Sequence, residues 1–119
     1  MPNLKKGKIV ISDRYADSSF VYQGYVNKFG IKRIQKLHRE LLNNFFPDYT
    51  FIFKINPKEI IKRLKQRKFK NKYDKSNLLF HKKVIQGYKK IANPKRYIMV
   101  DASLSKHIIH KNIIEKLKL

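Results

Sequence analysis

Apolar residues along this chain form short continuous runs, separated by longer stretches of helical period. Ile9-Val10-Ile11 lies between Lys8 and Ser12, Thr50 to Phe53 leads on to Ile55, and Tyr97 to Val100 ends at Asp101. Runs of this kind predict buried strands of a parallel sheet covered on both faces, over Lys8–Ser12, Thr50–Ile55 and Tyr97–Val100. Between them, Ile31, Ile34, Leu37, Leu41, Leu42 and Phe45 recur at helical spacing and stop before Pro47. They predict an amphipathic helix of about four turns whose leucine-rich stripe is core or a dimer surface. Ser18 or Ser19 can cap an earlier helix that carries Tyr22 and Gln23 and breaks at Phe29-Gly30. Asn56-Pro57-Lys58-Glu59 starts another with a capping residue, Pro in the first turn and Glu at the third position, and that helix runs to about Arg67. Helical period resumes from Leu78 to Ile91, Asn93-Pro94 ends it, and Ser105 can cap a last helix bearing Ile108, Ile109, Ile113 and Leu117. Strands alternating with helices place the chain in the α/β class, a parallel sheet with flanking helices.

Composition narrows this picture in three ways. With 119 residues the chain has room for one small domain, and no repeat or linker divides it. It contains no cysteine, which removes disulfides, thiolate nucleophiles and cysteine-based zinc sites, and fits a reducing cytoplasm. No apolar run approaches the roughly 18 residues that cross a bilayer, so no membrane partner is expected.

The net charge of +21 is the outlier. It makes nonspecific attraction to polyanions an expected property and a basic nucleic-acid-associated protein an alternative reading. The excess is mostly Lys spread along the chain with abundant Ile and Asn, the pattern an A+T-rich coding sequence produces without selection for a partner. A nucleic-acid reader would cluster Arg and interleave aromatics on one face, whereas the aromatics here fall mostly at core periods. His38, His81, His107 and His110 have no ligand spacing with paired carboxylates, which argues against a zinc site. His81 reads as a helix-packing residue.

Candidate chemistry concentrates after the first apolar run. Asp13 and Arg14 would stand at the carboxyl edge of a parallel sheet, where α/β proteins bind ligands, and Arg14 can grip a phosphate through two parallel hydrogen bonds. Ser18, Ser19, Tyr22 and Gln23 follow with polar groups on one side of a starting helix, and Gln23 offers a donor and an acceptor to a base edge. The segment Asp13-Arg14-Tyr15-x-x-Ser18-Ser19-x-x-Tyr22-Gln23-Gly24 resembles the one with which bacterial-type thymidylate kinases hold thymidine monophosphate (dTMP). Phe80-His81-x-x-Val84-x-x-Gly87-Tyr88 and Val100-Asp101-Ala102-Ser103 continue the resemblance over nearly the whole chain.

The resemblance implies a partial P-loop nucleoside monophosphate kinase fold and transfer of the ATP γ-phosphoryl group, with Mg2+, to dTMP. It implies that Arg14 binds the monophosphate, that Asp13 acts near magnesium, that Ser19 and Gln23 contact thymine, and that Ser18 and Tyr22 complete the acceptor site, Tyr22 against the sugar. Asp101, Ala102 and Ser103 would lie near the adenine of ATP, with Arg63 and Arg67 on the same side. Residues 68–77 fall where the family keeps a mobile lid carrying Asp-Arg-x-Glu. Here that tetrad reads Asn71-Lys72-Tyr73-Asp74, so Lys72 keeps the charge and loses the two-pronged fork. A competent lid and a solvated basic loop both fit it. Arg67 is the better lid candidate, and Arg63 also suits a helix end.

The four glycines, Gly7, Gly24, Gly30 and Gly87, open no G-x-x-x-x-G-K-S/T pattern. The chain is therefore expected to be the carboxyl-terminal part of such a kinase, with the amino-terminal strands of the sheet missing and activity lost in isolation. A homodimer or a complementing amino-terminal fragment is the expected protein partner, and a non-catalytic remnant is the other alternative.

Overall fold

The structure, a computed structural model, describes residues 1–66 and 76–119. In chain order it contains α1 (Pro2–Lys5), α2 (Ala16–Ser19), a π-helix (Phe20–Val26), α3 (Ile31–Leu42), β1 (Thr50–Lys54), α4 (Pro57–Lys65), α5 (Ser76–Ile91), β2 (Tyr97–Asp101) and α6 (Lys106–Leu117). Among the described residues β1 and β2 form a two-stranded parallel sheet, in register from Thr50 opposite Tyr97 to Lys54 opposite Asp101. Parallel neighbours need a crossover, and the connection containing α4 and α5 supplies it. The result is a parallel sheet flanked by helices, consistent with a partial nucleoside monophosphate kinase fold.

Local chemistry sets several boundaries as expected. Asn56 Oδ1 accepts from the Lys58 amide at 3.0 Å ahead of α4, and Ser105 Oγ accepts from the Ile108 amide at 3.4 Å at the start of α6. Gly30, at φ +105°, occupies backbone space that an L side chain rarely enters and separates the π-helix from α3.

Three expectations are corrected. Lys8–Ser12 is irregular, with Ile9 and Ile11 69% and 90% exposed. The apolar run is present, but a strand also needs a ladder, and among the described residues β1 and β2 pair only with each other. Asp13 and Arg14 consequently do not follow a sheet strand. Secondly, neither Ser18 nor Ser19 caps a helix: the N-cap is Tyr15, in extended backbone, and both serines lie within α2. The helix then continues with π geometry, the Asn27 amide reaching back to the Tyr22 carbonyl at 3.0 Å. Thirdly, the stripe that begins in α3 divides: Leu37, Leu41 and Leu42 are exposed, which corrects the core half of the reading for these three and leaves its surface half, while Ile31, Ile34 and Phe45 are half-buried and His38 is the buried residue of that helix. Phe29, Phe53 and Tyr49 are exposed as well, so the aromatics serve the core less than their period implied.

The packed centre is the π-helix held between α3 and α5, with Phe20, Val21 and Val84 buried, while Val100 is buried in β2. The radius of gyration is 16.3 Å, against roughly 13.5 Å for a compact chain of this length. That difference matches the exposed apolar side chains of Ile9, Ile11, Phe53 and Met99.

Gly87 lets α5 approach the π-helix. A Cβ there would lie 2.8 Å from Val21 Cγ1 and 2.9 Å from Tyr25 Cδ1, and the Val21 side chain is fully buried. Overpacking of this kind costs about 1–3 kcal/mol, against a helix-propensity gain of about 1 kcal/mol. Gly87→Ala is therefore expected to destabilise the chain by up to about 2 kcal/mol, read as a lower urea midpoint at unchanged m-value. A midpoint at or above that of the wild type would contradict the close packing.

Candidate functional site

The residues expected on the acceptor side lie on the turn into α2 and on the π-helix, with α5 as their wall. The Arg14 guanidinium lies over the Tyr22 ring, 5.5 Å from its centroid. Tyr22 in turn meets Phe80 of α5 at a centroid distance of 5.9 Å. Ser18 Oγ is 3.4 Å from the Tyr88 hydroxyl, also on α5. Ser19 and Gln23 are exposed and lie about one helical turn apart, which leaves a hydroxyl and an amide free for a ligand. Asp13 is exposed beside Arg14. The structure thus gathers Arg14, Ser18 and Tyr22 against one helix and leaves the arginine fork accessible.

A polar cluster that sequence reasoning missed lies directly behind this segment. Asp17 is 4% exposed, and Arg96 grips its carboxylate with both prongs at 2.8 Å. Arg96 also donates to Thr50 Oγ1 at 2.7 Å, and the Tyr97 hydroxyl donates to Asp17. The guanidinium packs on the rings of Phe46 and Tyr97, 4.6 Å from each centroid. Hydrogen bonding to Asp17 holds Arg96 above its ordinary pKa. Burial, reinforced by the bond to Asp17, pushes the Tyr97 phenol well above the ordinary tyrosine value.

Because the phenol loses its proton less readily when folded, its contribution to stability is complete below about pH 10, the unfolded value, and is lost as pH rises beyond it. Wild-type protein is therefore expected to lose Tm above about pH 10, and Tyr97→Phe is expected to flatten that decline while lowering Tm at neutral pH. A decline of equal steepness in the variant would assign the alkaline sensitivity elsewhere. Next to this cluster, His38 Nε2 and the Tyr15 hydroxyl both meet the Phe45 carbonyl at 3.0 Å, which gives the buried histidine a packing role.

The residues expected on the donor side meet at the other end of the sheet. Arg63 donates to the Ala102 carbonyl at 3.1 Å and to Glu59 Oε1 at 3.4 Å, joining α4 to the turn after β2. Asp101 accepts from the Ser103 amide at 2.9 Å and from its hydroxyl at 2.6 Å, and these bonds lower its pKa. Arg63, Asp101, Ala102 and Ser103 therefore do form one group. Arg67 and Lys72 lie outside the described residues, as do residues 68–75 of the expected lid, whereas Ser76 and Asn77 already belong to α5.

The two groups are not brought together. Asp17 is tied to Arg96, and through it to Thr50, at the amino-terminal ends of the strands, while Asp101 ends β2. Among the described residues no set of three His, Cys, Asp or Glu side chains could hold a metal ion. Among the described residues no helix is long and apolar enough to cross a membrane.

Comparison with known proteins identifies the family. The family model described as thymidylate kinase matches residues 1–113. A thymidylate kinase of Staphylococcus epidermidis is 41% identical over 99% of this chain and 62% of its own length. One from Thermoanaerobacter is 36% identical over 99% of the chain and 59% of its own length, and one from Mycoplasma mobile 40% identical over 97% and 57%. The chain spans about six-tenths of the length of these relatives. With both the acceptor segment and the turn after β2 inside the matched region, the chain belongs to the thymidylate kinase family.

Proposed function

We propose that these residues supply the acceptor side and part of the donor side of an ATP-dependent dTMP kinase, acting in the cytoplasm and forming dTDP and ADP. The observation that carries the reading is the Arg14 fork held over Tyr22 beside exposed Ser19 and Gln23. It combines a planar phosphate grip, an aromatic surface for the sugar and two neutral hydrogen-bonding groups for a base. Arg14 binds the monophosphate, Ser18 and Tyr22 frame the sugar, and Ser19 and Gln23 read thymine. Asp13 orients magnesium brought by ATP. The group of Arg63, Asp101, Ala102 and Ser103 lies along the adenine of the donor, and Arg67 and Lys72 act from the 68–77 lid. The cradle for the donor phosphates is not among these 119 residues, since no glycine opens the required pattern. A segment supplying it is the complementing partner. The exposed Leu37, Leu41 and Leu42 face of α3 pairs with a second copy.

Titration of dTMP tests the acceptor assignment. Arg14→Ala is expected to weaken binding by about 1.5–3 kcal/mol, the scale of a charged hydrogen bond. Gln23→Ala is expected to narrow the preference for dTMP over other nucleoside monophosphates, because a polar site penalises the partner that leaves it unpaired. Unchanged affinity in Arg14→Ala would remove that residue from the site.

A further inference from the structure

We infer that Arg96 is the positioning residue of the acceptor segment, its fork holding Asp17 so that the turn carrying Arg14, Ser18 and Ser19 is fixed against the sheet. Asp17 stands between Arg14 and the two serines, in the first turn of α2. Its side chain faces inward, 4% exposed, while Arg14 and Ser19 face outward. The same short turn therefore presents ligand groups on one side and is tethered on the other.

Two features make the tether rigid. The bond is bidentate at 2.8 Å on both prongs, which fixes the plane of the carboxylate as well as its position. Arg96 is itself held from several directions: its side chain donates to Thr50 Oγ1, its carbonyl accepts from the Thr50 amide at 2.9 Å, its amide donates to the Asn93 carbonyl at 3.1 Å, and two aromatic rings enclose its guanidinium. The connection thus runs from the first residue of β1, through Arg96, to the backbone that presents the phosphate grip. Lysine at this position keeps the charge and loses the fork, so it can neutralise Asp17 without orienting it.

The inference about ligand geometry rests on the acceptor reading above, whereas the tether itself does not, and the test separates them. Amide hydrogen exchange is measured on wild type, Arg96→Lys and Thr50→Val, the last serving where the lysine variant fails to fold. Both variants are expected to speed exchange at Ser18 and Phe20, on the order of tenfold for Arg96→Lys, while the α5 amides of Ile85 and Gly87 keep their wild-type rates. Unchanged rates at Ser18 and Phe20, or equal acceleration throughout the chain, would overturn the tether. dTMP is then titrated into the same proteins and into Arg14→Ala, following the amide signals of Arg14 to Gln23. If wild type binds, weaker binding in Arg96→Lys with unchanged preference among bases supports positioning. Wild-type affinity in that variant, alongside lost affinity in Arg14→Ala, overturns it. No dTMP response in wild type refutes the acceptor reading and with it the positioning role, while exchange still decides the tether.

Discussion

Asp17→Ala is expected to destabilise the chain by about 2–4 kcal/mol: it leaves the Arg96 charge without its partner, and because that side chain is 14% exposed the cost falls somewhat below the about 3–5 kcal/mol of a fully buried charge. The carboxylate that would be removed accepts both prongs of Arg96 and the Tyr97 hydroxyl. Arg96 would keep Thr50 Oγ1 and the two aromatic faces, none of which carries a compensating charge. Natural domains are stable by only about 5–15 kcal/mol, so a loss of this size is expected to leave a large unfolded fraction, visible by circular dichroism at 25 °C. Removing both partners distinguishes the loss of attraction from the exposure of an orphan. Asp17→Ala with Arg96→Met replaces the pair by apolar groups and is expected to recover part of the loss, because no charge then remains buried. The Lys36–Glu40 pair on α3 is the internal control: at 3.9 Å, with side chains 76% and 63% exposed, its removal is expected to cost no more than about 0.5 kcal/mol. An Asp17→Ala loss as small as that of the control would mean that water already reaches the cluster.

The contrast between these two ion pairs shows which parts of the molecule the chain announces locally. Lys36 and Glu40 can be read from their spacing, as can the caps at Asn56 and Ser105 and the break at Gly30. Those features depend on neighbours within a few residues. Asp17 and Arg96 are 79 residues apart, and nothing in the run Tyr15 to Ser19 marks its acidic residue as buried. The available signal was the scarcity of arginine: six of the 29 basic residues are Arg, and one placed at the mouth of an apolar strand suggests a fork with a planar partner.

Lys8–Ser12 illustrates the opposite error. Its composition is that of a buried strand, but apolar content states only what a segment would gain by burial. Whether it becomes a strand depends on a neighbouring backbone, and among the described residues no strand pairs with it. The leucines of α3 carry the same lesson, their period being correct and their burial absent. The grouping of Arg14, Ser18 and Tyr22 was more legible because these residues lie within nine positions of one another, so they could be named together. The donor-side turn was legible in position, whereas its link to α4 through Arg63 and the Ala102 carbonyl emerged only from the fold.

The lack of a glycine-rich donor-phosphate pattern among these 119 residues carries the largest expected effect. A polypeptide of these 119 residues, supplied with ATP, magnesium and dTMP, is expected to form dTDP at least about a thousandfold more slowly than the longer Staphylococcus epidermidis relative, because phosphoryl transfer relies almost wholly on positioning and charge stabilisation. Reacting atoms must approach to about 3–3.5 Å in line. Arg63, Asp101, Ala102 and Ser103 are assigned to the adenine, at the opposite end of ATP from the transferred group, and no glycine in these 119 residues opens the pattern that would hold the donor phosphates in line with the acceptor. The positive charge does not substitute for geometry: a net +21 spread along the chain raises the local concentration of nucleotides without aligning them. Binding and turnover are therefore expected to part company. Adding a protein segment that carries a G-x-x-x-x-G-K-S/T strand, loop and helix is expected to restore turnover, and Arg14→Ala to abolish the restored activity. Coupled assays of dTDP formation, with and without that segment, make the measurement. Turnover by the 119-residue polypeptide alone, within about tenfold of the relative, would show that the donor phosphates are held by residues other than those argued above.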